Sequence, residues 1–358
     1  MKAWILTNRF NLLAFVLIMV LVVCGIMPAH SETLGYGLMA LSTTAFPVNP
    51  ELSAIAISYS NPLEALIADQ VLPRIDTAKK FTYTEYNQAD GFTVPETRVG
   101  RKSEPNMVDF GGTQLTKECI DFGLDDLIPN DEIDAWNSMP KAPGAVSPQA
   151  KSTMMLTRLV GLDREIRVAN LVFNAANYVT DNKDDLSTGA NRQFDKADSD
   201  ALAILTDALD VPLVRPNYLV LGQEVWTKLR RNKTIVQAIG NSAQTTGYAS
   251  RQQVAELLEL PGGILVGAGR VNTAKKGKAP NYVRAWGKYA ALLYIDPMAA
   301  QMDQPNFGFT AQWGSRIAGD IPEPKAGLRG GVRVRSGESV LEVICSQDSG
   351  YLFTKVIS

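Results

Sequence analysis

Residues 147–178 read SPQAKSTMMLTRLVGLDREIRVANLVFNAANY, and this stretch decides how the rest of the chain is organised. Ser147 suits a helix N-cap, and Pro148 suits the first turn, where a missing N–H costs nothing. Apolar residues then recur at alternating steps of four and three, which places them on one stripe of a helix: Met155, Leu159, Leu162, Ile166, Ala169, Phe173 and Ala176. A helix over 148–178 would be about 45 Å long.

The charged residues of this stretch fall outside the apolar stripe, so the sequence predicts that they face solvent: Lys151, Arg158, Arg164, Glu165 and Arg167. Three more apolar residues widen the stripe: Leu156, Val160 and Val172. A coiled coil is the weaker interpretation, because Gly161 interrupts the seam and asparagines crowd its end. The stretch therefore predicts a long core helix packed under a sheet.

The overall composition is that of a folded protein with balanced charge. The chain has 358 residues, of which 46% are hydrophobic, so it can bury a sizeable core in one large domain or two modest ones. It carries 35 Lys and Arg against 37 Asp and Glu. This balance argues against a general nucleic-acid binder with a broad basic surface.

The side-chain inventory excludes the commonest catalytic and metal sites. His30 is the single histidine, so the rest of the chain cannot supply a Ser–His–Asp triad, a Cys–His dyad or a histidine ligand. Cys24, Cys119 and Cys345 form no CxxC pair, and the segment 267–269 lacks the third glycine of a dinucleotide-binding turn. We therefore predict no catalytic, cofactor-binding or metal-binding residues, and a protein that is not an enzyme. A histidine-free enzyme stays open without positive support.

The first 38 residues allow three interpretations. A basic start, an apolar run over 10–27 and small residues at 29–31 are typical of a secretory leader. The same run is long enough to span a membrane. Alternatively, the natural protein begins at Met39, and this leader-like segment is a mis-assigned start.

Residues 40–60 are predicted to form an extended arm, because Pro47 and Pro50 discourage a helix. The segment 61–64 combines an N-cap, a first-turn proline and an acidic third position. A short helix is therefore expected to begin there and to end before Pro73.

Residues 76–122 are predicted to form a long β-hairpin. Residues 81–86 alternate like a strand, and the sequence from Met107 onward becomes strand-like again. Between them lies a polar, basic tip that contains Arg98, Arg101 and Lys102 among prolines and glycines. The alternative is a flexible surface loop.

The second half of the chain alternates helix and strand patterns. Asp198 or Ser199 is predicted to cap an amphipathic helix, and Ser250 opens a capping box for another. The segments 282–286 and 290–295 flank a Gly-Lys turn and predict a hairpin. Further apolar or alternating runs predict strands at 218–222, 264–267, 307–313, 332–334, 340–344 and 351–356.

A series of short motifs follows in order along this half. They are DSD at 198–200, PNYLVLG at 216–222, VAELL at 254–258, ILVG at 264–267, WG at 286–287, ALLY at 291–294 and PNFGFT at 305–310. Together with IPNDE at 128–132 and the long helix, the series resembles the tailed-phage major capsid proteins of the Hong Kong ninety-seven-like shell fold. The resemblance extends over roughly residues 39–358.

This resemblance implies an α+β fold with an N-terminal arm, an extended loop, a peripheral domain and an axial α/β domain. The corresponding boundaries are 1–38 for the leader-like segment, 39–75 for the arm, 76–122 for the extended loop hairpin, 123–210 for the peripheral domain with spine helix 148–178, 211–320 for the axial domain, and 321–358 for C-terminal strands that return to the peripheral domain.

The resemblance also implies a structural function. A protein of this kind assembles with itself into hexamers and pentamers of an icosahedral phage or prophage head that encloses double-stranded DNA. Scaffolding, portal and decoration proteins are implied partners, with weak contact to packaged DNA, no small-molecule substrate, and assembly in the bacterial host cytoplasm. Arg98, Arg101 and Lys102 are then candidate subunit-interface residues. The alternatives are an encapsulin-like nanocompartment shell and a secreted or membrane-anchored binding protein, which residues 1–38 alone support.

Overall fold

The computed structural model describes residues 46–59, 66–86, 94–107, 112–240, 247–275, 277–296 and 306–358. The chain divides into two units after Pro47, and the elements below belong to the second unit, residues 48–358. The leader-like segment 1–38, the alternative start at Met39 and the predicted helix start at 61–64 lie outside the described residues.

The α-helices of the described residues, numbered in chain order, are α1 Pro50–Ser58, α2 Ala68–Val71, α3 Asn130–Ser138, α4 Pro148–Val172, α5 Ala201–Leu209, α6 Gln223–Leu229, α7 Lys233–Ile239 and α8 Arg251–Leu257. The strands are β1 Arg74–Asp76, β2 Lys80–Tyr86, β3 Gly112–Glu118, β4 Ile120–Pro129, β5 Lys183–Asp185, β6 Tyr218–Gly222, β7 Gly263–Gly267, β8 Arg270–Asn272, β9 Tyr282–Arg284, β10 Ala290–Leu293, β11 Gly308–Gln312, β12 Ile317–Glu323, β13 Gly331–Ile344 and β14 Gly350–Thr354.

Two five-stranded sheets organise these elements. The first has the order β1-β11-β13-β12, with β4 also paired to β13, and the second has the order β5-β14-β10-β6-β7. β13 is long enough to pair with β4 over ten positions, from Gly331↔Pro129 to Val340↔Ile120, and also with β11 and β12. The pairs β2–β3 and β8–β9 form two-stranded ribbons. The mixture of helices and largely antiparallel sheets confirms the predicted α+β class.

α4 is the long helix that the sequence predicts, but it ends at Val172 rather than at Tyr178. Ser147 caps its start, since the hydroxyl accepts a hydrogen bond of 3.2 Å from the backbone N–H three residues later. At the other end, Asn177 Nδ2 donates to Leu171 O at 2.7 Å, and the Tyr178 hydroxyl donates to Val172 O at 2.8 Å. Side-chain donors therefore take the place of backbone N–H groups at the last carbonyls of the helix. The helix ends there, although the apolar stripe continues to Ala176.

The buried face of α4 differs from the predicted stripe. Met155 and Leu159, predicted to be buried, keep 53% and 51% of their surface exposed. Arg164 and Glu165, predicted to face solvent, are 2% and 0% exposed. The other predicted residues Leu156, Val160, Ala169 and Val172 are buried as expected, and Val168 is buried with them. The prediction is wrong here because apolar spacing cannot reveal that two charged residues find buried partners on other elements.

Glu165 is a buried carboxylate held by three N–H donors. Its Oε1 accepts hydrogen bonds from Ile67 N at 2.9 Å and from Trp286 Nε1 at 2.5 Å, and its Oε2 accepts one from Ala68 N at 2.9 Å. Ile67 and Ala68 stand at the start of α2, so the carboxylate satisfies N–H groups that this short helix leaves open. Burial raises the pKa of Glu165, although the three N–H donors act in the opposite direction.

Trp286 fits beside Glu165 because a glycine stands opposite its ring. A Cβ atom on Gly267 would lie 2.0 Å from Trp286 Cδ1, so no side chain can occupy that position. The ring is fully buried and meets Phe173 edge-to-face at a centroid distance of 5.4 Å. The segment 267–269, which begins like a dinucleotide-binding turn, therefore has a packing role at its first glycine.

Arg164 belongs to a network of ion pairs that joins α4 to the first sheet. It pairs with Asp69, and its Nε lies 3.7 Å from Glu342 on β13. Asp69 also pairs with Arg74 at 2.6 Å, and Arg74 pairs with Glu338 on β13 at 2.9 Å. The segment that contains α2 and β1 is thus tied by charge to both the helix and the sheet.

Glu338 is almost fully enclosed, with 1% of its side chain exposed. Its Oε2 accepts hydrogen bonds from Arg74 and Arg316, each at 2.9 Å. Burial by itself raises the pKa of Glu338, but the two guanidinium groups outweigh burial and hold the pKa below its ordinary value. The stabilisation from this carboxylate is therefore present above the ordinary glutamate pKa and is lost as the pH falls through the lowered one.

The extended conformation predicted for the N-terminal arm is wrong over Pro50–Ser58, which form α1. Asn49 caps this helix, because its Oδ1 accepts hydrogen bonds from Glu51 N at 3.0 Å and Leu52 N at 3.4 Å. Pro50 occupies the first turn, where its missing N–H is not needed. Proline starts this helix instead of preventing it.

The predicted hairpin of 282–286 with 290–295 is also wrong. β9 pairs with β8, whereas β10 lies inside the second sheet between β6 and β14. All four residues of β10 are fully buried. Because a continuous apolar run is stable where both faces of a strand are covered, β10 belongs inside a sheet and not in an exposed hairpin.

Two smaller differences concern a helix cap and a strand. Asp200, and not Asp198 or Ser199, caps α5, since its Oδ1 accepts from the backbone N–H of Ala203 at 3.1 Å. The two predicted runs 332–334 and 340–344 form one continuous strand, β13, because the polar residues between them also pair on both edges.

Replacing Glu165 by alanine is expected to lower the free energy of unfolding of the unassembled subunit by about 3–5 kcal/mol, because three buried N–H donors lose their acceptor. Glu165→Gln should cost less, since the amide oxygen retains part of the acceptor set. Urea unfolding followed by tryptophan fluorescence measures both. Glu132→Gln on the exposed α3 is the control and should change stability by about 0.5 kcal/mol or less. If Glu165→Ala is as stable as the wild type, Glu165 is not an important acceptor for the three buried N–H groups.

Glu338→Gln is expected to reduce the acid sensitivity of the fold. The wild type should lose stability as the pH falls below about 4.3, the ordinary glutamate value, because protonation removes the ion pairs with Arg74 and Arg316. The variant should have a lower free energy of unfolding than the wild type at neutral pH. Its free energy of unfolding should also fall by a smaller amount when the pH is lowered. Urea unfolding at several pH values between neutral and acid gives the comparison, with Glu132→Gln again as control. Parallel stability curves for Glu338→Gln and wild type would count against this assignment.

Candidate subunit interface

A two-stranded ribbon projects from the first sheet and carries the predicted interface residues. β2 and β3 pair antiparallel from Lys80↔Glu118 to Tyr86↔Gly112. At the base, Phe81 and Tyr83 are buried and their rings lie 6.3 and 6.2 Å from the ring of Phe309 on β11. Aromatic packing therefore anchors one end of the ribbon, while the other end extends away from the core.

The tip of the ribbon, residues 94–107, is exposed at every position. Its shape comes from its own polar contacts: Glu96 Oε1 accepts from Arg98 N at 3.0 Å, and Asn106 Nδ2 donates to Glu96 O at 2.8 Å. Met107 is 99% exposed, so even the apolar side chain has no neighbour to cover it. The tip holds a conformation without any core of its own.

Arg98, Arg101 and Lys102 all lie on this tip. All three are exposed, and none forms an ion pair with another residue of the described ranges. Arginine pairs with carboxylates through two parallel hydrogen bonds, so this cluster suits an acidic surface on another molecule. The arrangement offers recognition of negative charge and no catalytic chemistry.

Sequence reasoning missed a second group of exposed residues on the same subunit. Met155 and Leu159 on α4 are half-exposed, and Leu124 and Leu127 on β4 keep 41% and 47% of their surface open. β4 pairs only with β13 among the described strands, so its other edge is free as well. Exposed apolar side chains of this kind are candidates for contact with another molecule. The helical periodicity identified Met155 and Leu159, but it placed both of them in the core.

No helix in the described residue ranges is both long and apolar enough to cross a membrane. No group of three or more histidine, cysteine, aspartate or glutamate residues in these ranges could hold a metal ion.

No protein-family model matches the chain. A curated relative does: the major capsid protein of Pseudomonas phage JBD67 is 44% identical over 319 residues, which cover 89% of this chain and 100% of the relative. The chain belongs to the phage major capsid protein family. This membership confirms the resemblance inferred from the motifs.

Solved structures agree on the fold of this capsid protein. A phage-related protein from Bordetella bronchiseptica matches with a TM-score of 0.66 and 20% identity, over 87% of this chain and 98% of that one. The capsid protein of cyanophage P-SCSP1u matches with a TM-score of 0.52 and 10% identity, over 88% and 93% of the two chains. The predicted capsid shell fold is therefore confirmed. The encapsulin-like alternative has weaker support than the phage capsid protein.

Changing Arg98, Arg101 and Lys102 together to alanine should leave the subunit of this capsid protein folded but lower the yield or stability of assembled shells. The side chains are exposed and support no contact within the described subunit, so their loss costs the fold about 0.5 kcal/mol or less. Each lost ion pair is weak by itself, but every subunit repeats the loss around a closed shell. Circular dichroism checks folding, and sedimentation with electron microscopy measures assembly.

The matched control replaces three other exposed lysines, Lys196, Lys228 and Lys233, by alanine. This control removes the same charge and should assemble normally. Wild-type yield and wild-type melting of the tip variant would show that the tip is only a solvated loop.

Proposed function

We propose that this capsid protein assembles with copies of itself into hexamers and pentamers that close into an icosahedral head around double-stranded DNA. The observation that carries the proposal is the exposed ribbon tip of residues 94–107, which is shaped by its own hydrogen bonds yet covers nothing within its subunit. Ordering such a segment costs conformational entropy, which a contact outside the subunit would offset.

We infer that the tip lies across a neighbouring subunit. Arg98, Arg101 and Lys102 would then pair with carboxylates of that neighbour. The helix α3 offers a candidate surface, because none of its residues is buried and it carries acidic residues in its first turn, Asp131 and Glu132. The exposed apolar stripe of α4 would be covered in the same assembly.

The charge of the chain supports a limited role in holding DNA. With 35 basic and 37 acidic residues, the subunit has no overall attraction for a polyanion. Contact with packaged DNA is then weak and confined to the inner face. Scaffolding, portal and decoration proteins would supply size control, DNA entry and surface reinforcement.

The proposed role is structural, not enzymatic, and it places assembly in the bacterial host cytoplasm. The curated relative is a structural protein by its name. The domain boundaries expected from the sequence, with an arm at 39–75, a peripheral domain at 123–210 and an axial domain at 211–320, are part of this proposal.

Removing the tip tests the proposal. Residues 87–111 can be replaced by Asn-Gly, which closes the β2–β3 pair after Tyr86↔Gly112 with the two-residue turn preferred in hairpins. The shortened subunit should fold and stay unassembled, whereas the full chain should form capsomers or closed shells, alone or with its scaffolding partner. Electron microscopy and sedimentation velocity measure the difference.

The control keeps the length of the ribbon and replaces only the exposed Thr82 and Thr116 on its shaft by serine. This control should assemble. A full chain that stays monomeric at high concentration with its partner present would sink the proposal, and normal shells from the shortened subunit would remove the role of the tip.

A further inference from the structure

One segment of this near-neutral protein is strongly basic. From Leu260 to Ile295 the sequence contains no aspartate or glutamate, yet it contains six basic residues: Arg270, Lys275, Lys276, Lys278, Arg284 and Lys288. Arg270, Lys275, Lys278 and Arg284 lie on β8, on β9 or on the described residues between them, 273–275 and 277–281, and we call this region the basic ribbon. Such a concentration of one charge sign calls for an acidic partner.

The register of the basic ribbon strengthens this expectation. Arg270 and Arg284 stand directly opposite each other across β8 and β9, and like charges in such a pair destabilise a ribbon. Arg284 has a distant carboxylate, Glu224 at 3.8 Å, whereas Arg270 has no ion pair within the described ranges. Lys275 and Lys278 at the tip are exposed and also lack one there. The ribbon has a surplus of positive charge that its own subunit does not neutralise.

An exposed aromatic residue accompanies these charges. Tyr282 on β9 is 65% exposed, and alternation along the strand places it on the same face as Arg284. Tyrosine and arginine are the residues that most often dominate the energy of protein interfaces. The face of the ribbon therefore suits a protein surface with an apolar floor and acidic rim.

The other end of the same region offers such a surface. A cavity of about 650 Å³ lies beside α8 and the start of β7, and we call it the acidic groove. Its floor includes Ala255, Leu260 and Ile264, which are nearly covered. Its rim carries Glu256 and Glu259 against the single cation Arg251. Glu259 has only a loose ion pair, with Arg215 at 3.4 Å, and 79% of its side chain is exposed.

The two surfaces cannot meet within one subunit. The acidic groove contains Gly263 and Ile264 at the start of β7, and the basic ribbon follows Gly267 at its end. The strand between them, Gly263–Gly267, is about 15 Å long. Complementary surfaces at opposite ends of a rigid element favour contact between successive copies of the chain, which closes into a ring.

We propose that the basic ribbon of one subunit docks into the acidic groove of the next, so that the pair forms a head-to-tail contact around each capsomer. This inference rests on the proposed self-assembly and names two surfaces that perform it. A second copy fits better than DNA, because the groove floor is apolar and Tyr282 offers an aromatic contact that a phosphate backbone does not match.

Charge reversal on each side tests the pairing. One variant carries Lys275→Glu and Lys278→Glu, and the other carries Glu256→Lys and Glu259→Lys. Each alone faces like charges at every contact and should lower capsomer yield about tenfold or more. When the two variants are mixed, subunits can alternate so that every contact in an even-membered ring is attractive. Mixing should therefore restore six-membered capsomers, and one chain that carries all four substitutions should restore five-membered capsomers as well.

Sedimentation velocity on the mixed variants adds a readout that does not depend on shells. The two variants should associate at a concentration where each alone is monomeric, so the pairing can hold or fail even if the wild type forms no shell. Lys228→Glu with Lys233→Glu is the matched control and should assemble like the wild type. Circular dichroism confirms that all variants fold.

Three results would overturn the proposal. If both single-sided variants assemble at wild-type yield, the ribbon is only a solvated loop. Loss of bound DNA from the ribbon variant with unchanged shells would assign the ribbon to nucleic acid. Failure of the mixture and of the fourfold variant to associate would show that these two surfaces do not face each other.

Discussion

The structure depends on burying two adjacent charges of one helix, Arg164 and Glu165. They contact different parts of the molecule: Arg164 pairs with Asp69 and approaches Glu342 on β13, whereas Glu165 holds the start of α2 and the indole of Trp286. Taking a charge out of water is costly unless the charge is paired. The partners of Arg164 and Glu165 offset this cost, although Arg164 Nε itself has no hydrogen-bond acceptor. Because these partners come from α2 and the first sheet, the two residues help to specify how the helix, the sheet and the α2 segment meet.

This constraint also positions the ribbon. The segment held by Glu165 and by the Asp69–Arg74 pair leads directly into β1, which pairs parallel with β11 at Arg74↔Thr310. β2 follows after a short connection, and its aromatic residues pack against Phe309 of that same β11. The ribbon therefore leaves the subunit from a rigid base, although its tip has no core. The subunit therefore holds the base of the ribbon firmly, while the tip contacts little of its own subunit.

The exposed surfaces of the subunit have a common character. The ribbon tip, the apolar stripe on α4, the basic ribbon and the acidic groove are each incomplete within one chain, through unpaired charge or uncovered apolar area. Membership of the phage major capsid protein family accounts for this pattern, because much of the surface of a shell subunit contacts other copies of the same protein. Near-zero net charge fits the same use, since identical subunits of high charge would repel one another.

Local chemistry in the sequence determined the elements whose signals lie within a few residues. The start of α4 at Ser147-Pro148, the capping box at Ser250 and the buried strand 218–222 follow from caps, proline geometry and apolar runs. Tertiary structure alone decided that Arg164 and Glu165 of α4 are buried, that β10 lies inside a sheet, and that Gly267 makes space for Trp286. Those outcomes depend on partners from other elements of the chain, and periodicity reports only a side chain's own polarity, not the group that can satisfy its charge.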